Sequence, residues 1–277
     1  MMKRFFVIAL FVLGLGQLYA QPVRDTAWTK AGYFGLKLTQ VSLSSWSAGG
    51  ESALAFDSQI TYSADFKRDR QLWQNRLELG YGLTKNDGKS ARKTNDKIYF
   101  ASTYGYQIYK TLYWSALLNF NTQFAKGYDY NIEDSDFISK FMAPGYLMIG
   151  TGVTWSPNKI FTATFTPASW RGTIVADSRL ADEGAFGVDK GKHLLSEFGA
   201  NLKAEVNYEF LPNMKVYSRL ELYSNYLEDP QNVDVRWEVQ LNMAINKWFS
   251  TTLSTNLLYD NDVKIAQKDG TAGPRVQ

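Results

Sequence analysis

His193 is the single histidine of a 277-residue chain that has no cysteine. Any imidazole base chemistry would have to run through it, and Asp189 and Ser196 stand close by in sequence as an orienting acid and a nucleophile. All three fall in one short stretch, with no scaffold between them to fix a triad geometry. A serine directly after the histidine, an arrangement used for lipid hydrolysis, is absent because Leu194 and Leu195 follow. Without cysteine there is no thiolate catalysis, no disulfide, no thiolate-held zinc and no lipid anchor on cysteine. Asp129, Asn131, Glu133, Asp134 and Asp136 carry oxygen ligands of the kind calcium takes, but the glycine and distal glutamate of a calcium loop are missing, so a charged surface loop is the better reading. Gly49-Gly50, after Trp46, lacks the lysine and serine/threonine pair of a phosphate cradle and reads as a loop or edge bulge. The reading is a protein that is not an enzyme, with no catalytic residue, cofactor or metal.

The charges form a more regular pattern. Arg76 and Glu78, then Lys203, Glu205 and Glu209, then Lys215, Arg219 and Glu221, then Asp234, Arg236 and Glu238 occupy alternate positions of otherwise apolar runs. Residues two apart on a strand share a face, and on consecutive strands such residues meet across the sheet. The set holds five basic and six acidic side chains. A pore selective for one sign of ion would show an excess of that sign. Two readings stay open: a narrow lumen braced by ion pairs, and a water-filled channel with incidental pairing.

The elements that position these charges alternate with a period of two. Trp73, Leu77, Leu79, Tyr81 and Leu83 interleave with Gln74, Arg76, Glu78, Gly80 and Gly82. Leu112 to Phe124, Phe198 to Phe210, Met214 to Tyr226 and Val233 to Ile245 repeat the pattern, and Phe249 to Tyr259 does so more weakly. Ordinary strands have about 5–6 residues. A tilted strand crossing a bilayer needs about 9–11. Strands are expected over 30–41, 52–65, 70–84, 95–110, 111–126, 146–156, 159–167, 196–211, 213–227, 231–246 and 247–262. Short connections alternate with long ones, the long ones being 84–95, 127–145 and 168–195, and 178–186 could add one or two helical turns. Short turns at one end and long loops at the other belong to outer-membrane barrels. The expected fold is therefore all-β, a transmembrane antiparallel up-and-down β-barrel of about 12 strands.

Two further features agree. Lys3 and Arg4 precede the apolar run Phe5 to Leu15, and Ala20 offers a small residue for cleavage, the pattern of a secretory leader over 1–20. Residues 21–277 then read as one domain. The leader takes two of the 30 basic residues and leaves 28 against 27 acidic, a balance that argues against nucleic acid as a partner. Trp73, Tyr106, Trp155, Phe210, Trp248 and Phe249 gather at the short-turn end, and Tyr81, Phe124, Tyr226 and Tyr259 at the long-loop end. Aromatic rings at both margins of an apolar band form the girdles of a membrane barrel.

Several stretches also resemble a family: Ser45 to Glu51, Lys93 to Asp96, Thr122 to Tyr128, Ile138 to Tyr146, Gly184 to Val188 and Asn232 to Glu238. Across Trp28 to Asp262 the chain is similar to uncharacterised outer-membrane β-barrel proteins of the Bacteroidetes, a domain of unknown function. The resemblance implies the outer membrane of a Gram-negative bacterium and a barrel, but no chemistry. The expected partners are outer-membrane lipid and another envelope protein docked on the long loops. Porin-like passage of small solutes is favoured on the frequency of transport among barrels. The alternative is a non-conducting structural or partner-binding barrel. Eleven strands leave the last running parallel to the first, with a polar stretch 260–273 behind it. A closing strand is therefore expected to be missing, with a seam between 30–41 and 247–262.

Overall fold

The computed structural model describes residues 27–43, 50–130, 132, 136–244, 246, 249–266 and 272–276. The leader, Trp46, Gly49, Asn131, Glu133, Asp134 and Trp248 lie outside the described residues.

The strands are β1 (Trp28–Val41), β2 (Ala53–Arg68), β3 (Gln71–Asn86), β4 (Arg92–Tyr109), β5 (Leu112–Thr122), β6 (Gly127–Tyr128), β7 (Phe137–Ser139), β8 (Gly145–Trp155), β9 (Phe161–Ile174), β10 (Leu194–Leu211), β11 (Met214–Asn225), β12 (Val233–Ala244), β13 (Ser250–Ala266) and β14 (Ala272–Val276). Helix α1 (Ser178–Glu183) runs into a 3-10 turn over Ala185–Gly187. Twelve strands form one sheet in the order β1-β2-β3-β4-β5-β8-β9-β10-β11-β12-β13-β14, and β6 and β7 make a separate small hairpin. Every pairing is antiparallel and joins strands that are consecutive within the sheet, β6 and β7 being looped out between β5 and β8, so the sheet is an up-and-down meander.

Tight turns at 69–70, 110–111 and 212–213 fix the registers at one end, with Asp69, Lys110 and Asn213 in the left-handed region. Two-residue hairpins demand that backbone, which aspartate and asparagine tolerate better than most residues. The other end carries the longer connections 42–52, 123–144 and 175–193.

One face is apolar and exposed, with Phe34, Leu36, Ile60, Ile149, Phe165, Leu202, Trp237 and Leu253 among its large side chains. The other carries the charges. Arg171 on β9 reaches Asp234 on β12 at 3.0 Å, passing over two intervening strands. Tyr99 on β4 lies within electrostatic range of Arg219 and Glu221 on β11. Contacts that skip strands require strong curvature, so the charged face is concave and the apolar face convex.

The structure corrects the expected elements in three places. The connection 84–95 shrinks, because β3 continues to Asn86 and β4 begins at Arg92. The loop expected at 168–195 begins only after Ile174, since β9 passes through a bulge near Ala168 and continues. The polar stretch 260–273 is no simple loop: β13 runs on to Ala266, and β14 returns beside it from Ala272. The sheet therefore has a twelfth strand, where eleven were expected. Backbone pairing needs no apolar alternation, which is why this strand is invisible to a periodicity reading. The seam expected beside 30–41 is present, and the sheet is not closed. Its order ends at β1 and β14, and among the described residues no pairing joins β1 to β13 or β14.

Candidate functional site

The eleven charged positions lie on four strands of the concave face, β3, β10, β11 and β12, and most meet a partner of opposite sign. Glu78 is held by Arg76 on its own strand and by Lys97 on β4, each at 2.5 Å. Lys203 lies 3.4 Å from Glu205, and Lys215 3.5 Å from Glu209. Arg219 bonds Glu238 at 2.6 Å, and Arg236 approaches Glu221 at 3.9 Å; both are direct cross-strand partners. Glu205 accepts from the Tyr217 hydroxyl at 3.1 Å. The Arg76, Lys215 and Arg236 side chains are 58%, 60% and 65% exposed, so water screens their pairs and each contributes little alone.

Asp234 belongs to a tighter cluster centred on Arg171, a residue that periodicity did not find. The Arg171 guanidinium donates to both oxygens of Glu197, at 2.8 and 2.5 Å, and to Asp234 at 3.0 and 3.1 Å. It also stacks 3.9 Å over the Tyr223 ring. One planar cation thus ties β9, β10, β11 and β12 together. Glu197 and Tyr223 are almost fully buried. A buried carboxylate is tolerable only with such partners, so the cluster stands or falls as a unit.

The reason Arg171 escaped notice is local. On β9, Thr162, Thr164 and Thr166 face inward; beyond the bulge Ser169, Arg171 and Thr173 do. One extra residue, at Pro167-Ala168, reverses the alternation. Gly152 on β8 makes room for it, because a Cβ there would lie 2.0 Å from the Phe165 carbonyl oxygen. The signal was present in sequence as a second alternating run, Trp170 to Ile174, out of phase with the first.

Over the long-loop end sits a cap. Ala143, Val175, Leu180, Ala181 and Val188 are buried together, with Phe137, Ala185, Phe186 and Leu195 against them. Asp177 caps α1 by accepting from the Leu180 amide at 3.0 Å, and pairs with Lys140 at 2.5 Å. The Lys140 contact, helped by the Leu180 amide, holds the Asp177 carboxyl below its ordinary range. Gly184, in the left-handed region, ends the helix. Arg179 and Lys126 lie 4.5 and 4.6 Å from the Phe137 ring. His193 Nδ1 meets the Val175 carbonyl at 2.7 Å, Asp189 binds Lys192, and Ser196 accepts from the Trp170 indole. These three side chains thus have separate partners and do not converge. Of the calcium-type loop, Asp129 and Asp136 are described, and among the described residues no group of three acidic or imidazole ligands gathers.

The aromatic positions lie toward the two ends of the convex face. At the short-turn end Trp73, Tyr106, Trp155, Phe210 and Phe249 are exposed, and Trp155 packs edge-on against Phe161 at 5.6 Å. At the other end Tyr81 meets Phe124 at 6.5 Å, Tyr226 meets Phe198 at 6.0 Å, and Tyr259 lies on β13. Three indoles on this face donate to serines on the adjacent strand: Trp73 to Ser102 at 2.9 Å, Trp170 to Ser196 at 2.6 Å and Trp237 to Ser218 at 3.0 Å.

The fold defines an all-β, antiparallel up-and-down sheet with an apolar convex face and a charged concave one. Residues 38–128 match a family described as a protein of unknown function (DUF3078). Residues 171–271 match a second family, also described as a protein of unknown function (DUF481). No curated protein matches the chain.

Proposed function

We propose that the chain is an outer-membrane β-barrel protein, exported by its leader in a Gram-negative bacterium, whose lumen is braced and capped so that it acts through its long-loop face. The concave face is then the lumen and the convex face meets lipid. Membrane insertion is supported by the three indole–serine pairs, because a polar group in hydrocarbon must find its partner within the protein. No helix among the described residues is long and apolar enough to cross a membrane, so a crossing would be made by strands.

The observation that carries the braced reading is Arg171, whose side chain spans the concave side from β9 to β12 beneath a cap with its own apolar core. Porin-like passage of small solutes is the second reading. It draws on the exposure of Arg76, Lys97 and Arg236, which keeps part of the lumen wet. Planar-bilayer recording separates the two. The braced barrel is silent, and Arg171→Ala combined with removal of 178–187 introduces conductance. Stable open channels from the unaltered protein would establish the porin-like reading instead.

A further inference from the structure

A trench crosses the convex face. Its floor is Ala116, Thr151 and Ala168, direct register partners on β5, β8 and β9. Leu118, Ile149 and Trp170 form the bulky row beside it, again partners of one another. Trp73 and Tyr104, paired across β3 and β4, stand at its lower end. The hollow has a volume of about 830 Å³. Neighbouring side-chain rows on one face are roughly 6.6 Å apart, while a helix with its side chains is about 10 Å across. The trench therefore admits a single extended chain and excludes a helix. No charged residue lines it, and its two indole donors are already used by Ser102 and Ser196. Its occupant needs no polar group along its length.

The lower end abuts charge of one sign. Gln71, at the mouth, follows the turn that carries Arg70. The Arg70 guanidinium lies 5.0 Å over the Tyr106 ring and donates to the Gln107 carbonyl at 2.9 Å, which holds it on the convex side. Lys110, in the next turn, lies over Tyr109. Among the described residues Arg70 and Lys110 make no ion pair.

We propose that this surface binds one anionic phospholipid, its phosphate at Arg70 with Lys110, and one acyl chain in the Ala116–Thr151–Ala168 trench. The proposal rests on the membrane reading above. A cation stacked on an aromatic at a membrane margin has its charge at headgroup level and its stem along apolar surface. The trench supplies the second requirement, a place for the chain.

The test is native mass spectrometry of the full chain extracted from vesicles of phosphatidylglycerol mixed with phosphatidylcholine of identical acyl chains. One retained phosphatidylglycerol per protein is expected, with Arg70→Gln lowering its preference about fivefold, the equivalent of about 1 kcal/mol per basic side chain. Arg70→Lys retains most of the preference. Ala116→Leu with Ala168→Leu, which fills the trench, removes retention of both lipids while circular dichroism stays unchanged. Insertion into the vesicles without a retained lipid, or a preference untouched by Arg70→Gln, overturns the proposal and leaves the membrane reading standing. Failure to insert at all overturns both.

Discussion

Arg171 carries more of the concave face than any of the charges that periodicity exposed. Its partners Glu197 and Asp234 are 7% and 15% exposed at the side chain, whereas Arg219 and Glu238 are each 33% exposed. Removing the cation from a buried set leaves unpaired charge behind and costs about 3 kcal/mol, while a solvated pair contributes about 1 kcal/mol or less. Arg171→Ala should therefore lower the unfolding midpoint in detergent well beyond the drop caused by Arg219→Ala, as read by heat-dependent gel mobility. Equal drops would deny the cluster its special standing. Arg219→Ala in turn should shift stability more than conductance. Asp177 gives a second test. Its carboxyl is held below the ordinary range by Lys140, so its contribution is complete above the unfolded carboxylate pKa of about 3.9 and fades as pH falls through the lower folded value. The cap should resist pepsin down to a pH below 4 and then open. Asp177→Asn keeps an acceptor for the Leu180 amide but loses the ion pair, which should flatten that acid response; an unchanged profile would place the acid sensitivity elsewhere.

At the level of the strand, the β9 bulge is the feature with the largest leverage. The residue added at Pro167-Ala168 is what turns Arg171 inward. Deleting Ala168 should restore a single phase through β9, turn Arg171 toward the apolar face and cost about 2–4 kcal/mol if that face meets lipid. The expected result is poor insertion into vesicles, rescued in part by adding Arg171→Leu. Insertion as efficient as the parent's would mean the phase reversal is not needed. Gly152→Ala should also destabilise, by about 1–3 kcal/mol, since the added carbon meets the Phe165 carbonyl. The same bulge marks how far the sequence is legible. The runs at Phe198 to Phe210 and Val233 to Ile245 display their pairing faces openly, because nothing interrupts their alternation. Arg171 was hidden because a bulge replaces a two-residue count with three, and the break in period reads as a loop, whereas Glu197 continues the phase of the Phe198 run one residue before its start. The return of β14 was hidden for a different reason, as backbone bonds to β13 and not apolar spacing hold it.

Across the whole molecule the distribution of apolar surface is inverted. The large hydrophobic side chains stand on the outside of the sheet, and the one buried apolar cluster among the described residues belongs to the cap. The open edges matter at this scale as well. Among the described residues the outer side of β1 presents a row of backbone groups without a strand beside it, whereas β10 is paired on both sides. Amides on the free side of β1 should exchange with deuterium much faster than those of β10, and equal protection would show that something covers that edge. The inversion has a calorimetric consequence. Heat capacity rises on unfolding by about 0.45 cal/K/mol for each Å² of apolar surface newly hydrated. If, as proposed, the convex face meets lipid, it rests against detergent both before and after the sheet loses its pairing and hydrates little, so most of the increment should come from the cap. The thermogram should then show a small early transition carrying nearly all the baseline step, followed by a larger one with almost none. The second unit would have a nearly straight stability curve, with no cold limit in reach.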